Sequence, residues 1–239
     1  MPDCEEHRQV VYGRTARSLK FWSLSDINPL SGYTLREIDL YVLTSAQVNL
    51  NSSYNKAIEQ FSSNPQIFPN NSDQKGISIK VDNVHDFINY PITSSEGDEY
   101  IMIINIPIVK KNTFGSHFFD MANIRLDEDI RVWIDGVTTK SGDLIINITH
   151  TGDEIIVDQS NNSFYFSHAP ITSTFKYNIS TKQILLASKY DNYNDNYAKV
   201  GPFTNWHISV SSGYNEGLDM TSVTSVEIEF RGTFYSFTL

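Results

Sequence analysis

The sequence is poor in cysteine, in positive charge and in long apolar runs. Cys4, its only cysteine, cannot form an intrachain disulfide, so no covalent staple holds the fold. Its neighbours Asp3, Glu5 and Glu6 are acidic, which makes its thiol a poor nucleophile. Eighteen Lys and Arg stand against 28 Asp and Glu, a formal net charge of −10. That balance excludes a general nucleic-acid binder and disfavours anionic lipid. No run approaches the ~18–20 apolar residues of a membrane span; residues 101–109 are strand-sized and interrupted by Asn105 and Pro107. Residues 1–6 are acidic, without the apolar core of a signal peptide, so the expectation is a soluble protein, cytoplasmic or released without a cleaved signal peptide. Gly-x-Ser-x-Gly, His-Glu-x-x-His and Gly-rich phosphate loops are missing, so the sequence offers no hydrolase, metalloprotease or nucleotide-binding signature.

What is present is a β pattern. A hydrophobic content of 40%, with 13% aromatic residues, suffices for a core, and 239 residues fit one all-β unit. Short alternating or apolar runs predict strands at 77–81, 100–109, 122–126, 130–134, 143–149, 154–157, 163–166, 171–179 and 183–187, separated by turns such as Asp135-Gly136 and Thr151-Gly152-Asp153. Alternation is cleanest in residues 201–239, which predict the closing strands, with Trp206 as a core anchor, His207 facing outward and Asp219 as a turn former. Residues 34–50 fit a strand through Ile38, Leu40 and Val42, and a helix through Leu35, Ile38 and Val42; Tyr54, Ala57, Ile58 and Phe61 have helical spacing. The expected fold is an antiparallel β-sandwich, jelly-roll-like, with at most one short helix. Residues 1–20 form a polar arm and 21–239 a single sandwich domain.

The most conspicuous polar-aromatic stretch is 189–199, where Tyr190, Tyr193 and Tyr197 stand among Asp191, Asn192, Asn194, Asp195 and Asn196. Aromatic faces stack on sugar rings while carboxylates and amides bond hydroxyls, so this composition suits a carbohydrate-binding loop; an ordinary loop whose tyrosines cover the core edge is the plainer reading. Asp191 and Asp195 are the residues a Ca²⁺ ion would use, but Tyr193 occupies the third position of an EF-hand-type loop and the glycine is missing. Asp127, Glu128 and Asp129 read as a solvated turn rather than a cation site. Glu227 and Glu229 alternate on the expected outer face of a late strand. Same-face residues two apart lie about 6–7 Å from each other, close to an inverting glycosidase's carboxylate spacing, though a solvated face explains them without catalysis. His7, His85, His117, His150, His168 and His207 show no metal-ligand spacing.

Two stretches carry a resemblance. Gly13-Arg14-Thr15-Ala16-Arg17, then Phe21-Trp22-Ser23-Leu24-Ser25-Asp26-Ile27-Asn28-Pro29-Leu30 and Leu35-Arg36-Glu37, resemble the lead-in to the C-terminal β-sandwich domain of the A component of Tc-type insecticidal toxin complexes. Phe203-Thr204-Asn205-Trp206-His207-Ile208-Ser209-Val210, followed by Leu218-Asp219-Met220 and the alternating run to Phe230, is similar to that domain's last strands. The block 117–135 has no counterpart there, and the chain lacks the family's pore-forming and shell regions. The resemblance implies a β-sandwich displayed by a larger toxin subunit, without enzyme activity. The functional expectation is a non-enzymatic binding or assembly module for a glycan or a protein surface, with no cofactor. The alternatives are a carbohydrate-active enzyme and a structural subunit that forms a homo-oligomer.

Overall fold

A computed structural model describes residues 16, 19–21, 23–25, 40–62, 64–71, 73–95, 97–127, 129–188 and 199–238. Two compact units divide the chain, residues 1–65 and 66–239.

The first unit is built on helix α1, Leu40–Ser62. Ala46, Leu50 and Ala57 are buried, with half-buried Tyr54 on the same stripe, and Leu19 packs against Leu50, Tyr54 and Ala57. This helix overturns the expectation of at most one short helix, and it takes the residues from 40 onward that also fitted a strand. The i, i+4, i+8, i+11 order of Ala46, Leu50, Tyr54 and Ala57 is the helical period, and from residue 40 onward it prevails over alternation.

The second unit carries the strands β1 (Gln66–Phe68), β2 (Ile77–Val81), β3 (Ile92–Ser94), β4 (Gly97–Asn105), β5 (Met121–Leu126), β6 (Arg131–Asp135), β7 (Asp143–His150), β8 (Asp153–Val157), β9 (Ser163–Ser167), β10 (Ile171–Asn178), β11 (Ile184–Leu186), β12 (Asn205–Ser211), β13 (Ser225–Phe230) and β14 (Gly232–Ser236), with a five-residue helix α2 at His85–Asn89. Six strands form one antiparallel sheet in the order β11-β10-β7-β12-β4-β3. Opposite it lie two three-stranded sheets, β1-β14-β5 and β2-β13-β6, and β8-β9 forms a two-stranded sheet of its own.

Inward residues of the large sheet, among them Ile104, Ile146, Phe175, Trp206 and Ile208, meet Leu126, Val132, Ile134, Val226, Ile228 and Phe230 in one cluster. The strict alternation of buried and half-buried residues along β7 is the signature of a sheet with one covered face. This unit is thus an all-β sandwich of antiparallel sheets. The predicted strands appear in place, although β4 stops at Asn105, so Pro107 lies beyond the ladder it would have interrupted. Trp206 is fully buried and donates its indole N–H to the Pro202 carbonyl at 3.1 Å. Asp219 caps its turn by accepting the Thr221 N–H at 2.9 Å.

Candidate functional site

β7 ends at His150, and the chain turns through Thr151 and Gly152 into β8, which begins at Asp153. Gly152 has φ +99°, and a Cβ there would lie 2.1 Å from the His168 carbonyl oxygen, so only glycine lets the turn approach the end of β9. The β8–β9 pairing places Asp153 opposite Ser167 and so carries His168, the next residue, back to this turn. His150, Glu154 and His168 are thereby brought together from three separate elements.

Glu154 is buried, and one carboxylate oxygen, Oε2, accepts the Gly201 N–H. His150 Nε2 stands 3.8 Å from Oε2, and His168 Nε2 stands 3.7 Å from Oε1. Both gaps exceed hydrogen-bond length, and His150 Nε2, Glu154 Oε1 and His168 Nε2 have no hydrogen-bond partner. The two imidazoles stack with centroids 5.0 Å apart at 16°, and Trp206 meets His150 edge-on. Arg125, fully buried, donates to Asn123 Oδ1 at 3.0 Å and to the Lys199 carbonyl at 3.2 Å. Burial lowers the Arg125 pKa to about 10 against the opposing pull of Glu154. At Glu154 burial works to raise the pKa, but the two histidines and Arg125 outweigh it and hold the carboxyl at about 2. Burial likewise opposes charge on His168, and Glu154 with the Ala169 carbonyl raises its pKa nonetheless.

The same turn forms one wall of a groove of about 660 Å³. Exposed Tyr165 and Asp153 line it together with Asn105 and Asn205, whose side chains bond each other at 2.7 Å. Its floor is sewn together by Ile155 N–H to the Phe203 carbonyl at 3.2 Å and Ile106 N–H to the Thr204 carbonyl at 3.0 Å. The floor continues from the end of the tyrosine-rich stretch: Leu126 N–H bonds the Val200 carbonyl at 2.8 Å, and Gly201 is held by Glu154. At the stretch's other end, buried Ser188 donates its hydroxyl to the Ile130 carbonyl.

Tyr190, Asp191, Tyr193, Asp195 and Tyr197 lie outside the described residues, as do Cys4, His7 and Glu128. Asp127 pairs with Lys199 and Asp129 with Arg131, so the acidic run is divided between two cations. The expectation that Glu229 faces solvent is overturned. It is buried and accepts the Gly76 N–H at 3.0 Å and the Arg231 Nε–H at 3.2 Å, while half-buried Glu227 pairs with Lys75. A strand flanked by β2 and β6 loses the exposed outer face that alternation implied, because neighbouring Trp133 and Arg231 cover it. His207 lies on the face opposite Trp206, as expected.

The His150–Glu154–His168 cluster was missed because the histidines are eighteen positions apart. A His and a Glu flanking the Thr-Gly-Asp turn were its only local signal.

No protein-family model matches the chain, and no curated protein matches it. Among solved structures, the Yersinia pseudotuberculosis TcaA-TcaB structure is similar over 91% of this chain and 12% of that one, with 11% identity and a TM-score of 0.42. The Israeli acute paralysis virus particle is similar over 76% of this chain and 77% of that one, with 10% identity and a TM-score of 0.23. The first is of the Tc-toxin type that the ends of the sequence resemble. Both TM-scores are too low to bear on activity, and the chain spans only a small part of the toxin chain.

Proposed function

We propose that the 66–239 sandwich is a non-enzymatic binding module that takes a glycan in the groove beside the β8–β9 hairpin. The observation that carries this is the lining. Tyr165 is 70% exposed, which leaves a ring face available for stacking on a sugar, and Asp153, Asn105, Asn205 and Ser167 supply donors and acceptors for hydroxyls around it. The sequence resemblance of residues 203–230 supports a place for this module on a larger toxin subunit.

A glycan array tests the reading. Wild type binds a defined subset of saccharides, and Tyr165→Ala, a change on an exposed ribbon, abolishes the signal while leaving the fold intact by circular dichroism. An array profile unchanged by that substitution removes the groove as the site.

A further inference from the structure

Three buried or half-buried polar atoms converge on one point, and no part of the glycan reading uses them. We propose that His150, Glu154 and His168 form a binding site for a first-row transition-metal ion of the Zn²⁺ type.

His150 and Glu154 are almost wholly removed from solvent, and a buried polar atom without a partner is costly unless something else satisfies it. His150 Nε2, Glu154 Oε1 and His168 Nε2 are all three unpartnered, and the ligand atoms of these residues lie within 4.8 Å of one another. In a tetrahedral zinc site, ligand atoms about 2.0–2.2 Å from the ion stand roughly 3.3–3.6 Å apart. Drawing atoms that lie within 4.8 Å of one another to that spacing takes at most about 1.5 Å of side-chain movement.

The donor set selects the ion. Two imidazoles and one carboxylate suit Zn²⁺ and its neighbours, whereas Ca²⁺ and Mg²⁺ take oxygen ligands. His168 carries the outer contact usual for such ligands: its Nδ1 lies 2.7 Å from the Ala169 carbonyl, which fixes the proton on Nδ1 and leaves the Nε2 lone pair facing the cluster. His168 is also the most exposed of the three, so a fourth coordination position would open on its side.

His150 starts from the other tautomer. Its Nδ1 accepts the Gly152 N–H at 3.1 Å, so the neutral ring carries its proton on Nε2, pointing into the cluster. To ligate through Nε2 the ring moves that proton to Nδ1 and gives up the Gly152 hydrogen bond. Metal binding is therefore accompanied by a tautomer switch at one named histidine, a signature that adventitious surface binding does not produce.

The experiment is a Zn²⁺ titration of the full chain against a chromophoric chelator, with the imidazole nitrogens followed by ¹⁵N NMR. The expected result is one ion per chain, a tautomer change at His150 with retention of the Nδ1–H form at His168, and a loss of at least about 100-fold in affinity in both Glu154→Gln and His168→Ala. Thermal unfolding without metal checks that each variant is folded, and His168→Ala, at a partly exposed position, is the safer of the two. Zn²⁺ affinity in folded His168→Ala equal to that of wild type overturns the proposal. So does saturation of wild type without any change at His150. Glycan binding is read separately on the array, so either result can fail without the other.

Discussion

Single residues set the geometry around the groove, and two of them make sharp predictions. Gly152 sits where a methyl group would collide with the His168 carbonyl and where φ is already unfavourable for an L side chain. Gly152→Ala is expected to cost about 2 kcal/mol or more, which lowers the melting temperature by roughly 4–8 °C in a unit of this size; an unchanged melting temperature would mean the turn is not held as described. Tyr177 is buried between the layers, where its hydroxyl accepts the Ile134 N–H at 3.0 Å and lies 3.3 Å from the Ile134 carbonyl. Burial raises its pKa to about 12 from the ordinary 10, despite the Ile134 contact. Because the folded value is the higher one, its contribution is complete below pH 10 and is lost as pH rises from 10 to about 12, a loss on the order of 2–3 kcal/mol. Tyr177→Phe should flatten the alkaline limb of a stability–pH curve measured by urea unfolding; an equally steep limb in the variant would assign that limb to other groups.

At the scale of elements, the last three strands organise the sandwich. β12 lies between β7 and β4, β13 between β2 and β6, and β14 between β1 and β5. A chain ending after Thr224 lacks β13 and β14, the central strands of both smaller sheets, and is expected to lose cooperative unfolding and near-ultraviolet circular dichroism. Retention of a cooperative transition would show that the large sheet is stable alone. Much of this was legible from sequence. Val226, Ile228 and Phe230 alternate with Glu227 and Glu229, and Leu144, Ile146 and Ile148 alternate with their polar neighbours, because a strand with one covered face writes its burial directly into a period of two. What such alternation does not encode is what lies over the other face, which is why Glu229 read as exposed and proved buried. α1 was half-legible for a related reason. Among its residues whose burial is described only Ala46, Leu50 and Ala57 are buried, and the Asn-Ser-Ser sequence at 51–53 has the composition of a loop. The His150–Glu154–His168 cluster depends on hairpin register, a long-range pairing that no local spacing reports.

At the scale of the molecule, the division at residue 65/66 makes the sandwich a candidate for independent folding. A chain of residues 66–239 contains every strand found among the described residues and the main hydrophobic cluster. It is expected to unfold cooperatively within a few degrees of the sandwich transition in the full chain, as followed by calorimetry. A transition lowered by tens of degrees would make the helical unit part of the sandwich's stability.

If this sandwich holds a sugar against Tyr165 as proposed, saturation-transfer difference NMR reads that contact directly even when binding is weak. With the protein's aromatic resonances irradiated, a panel of simple saccharides should include some whose ring protons gain saturation from wild type and lose it with Tyr165→Ala. Transfer to no saccharide, or transfer undiminished in the variant, would mean that Tyr165 holds no sugar.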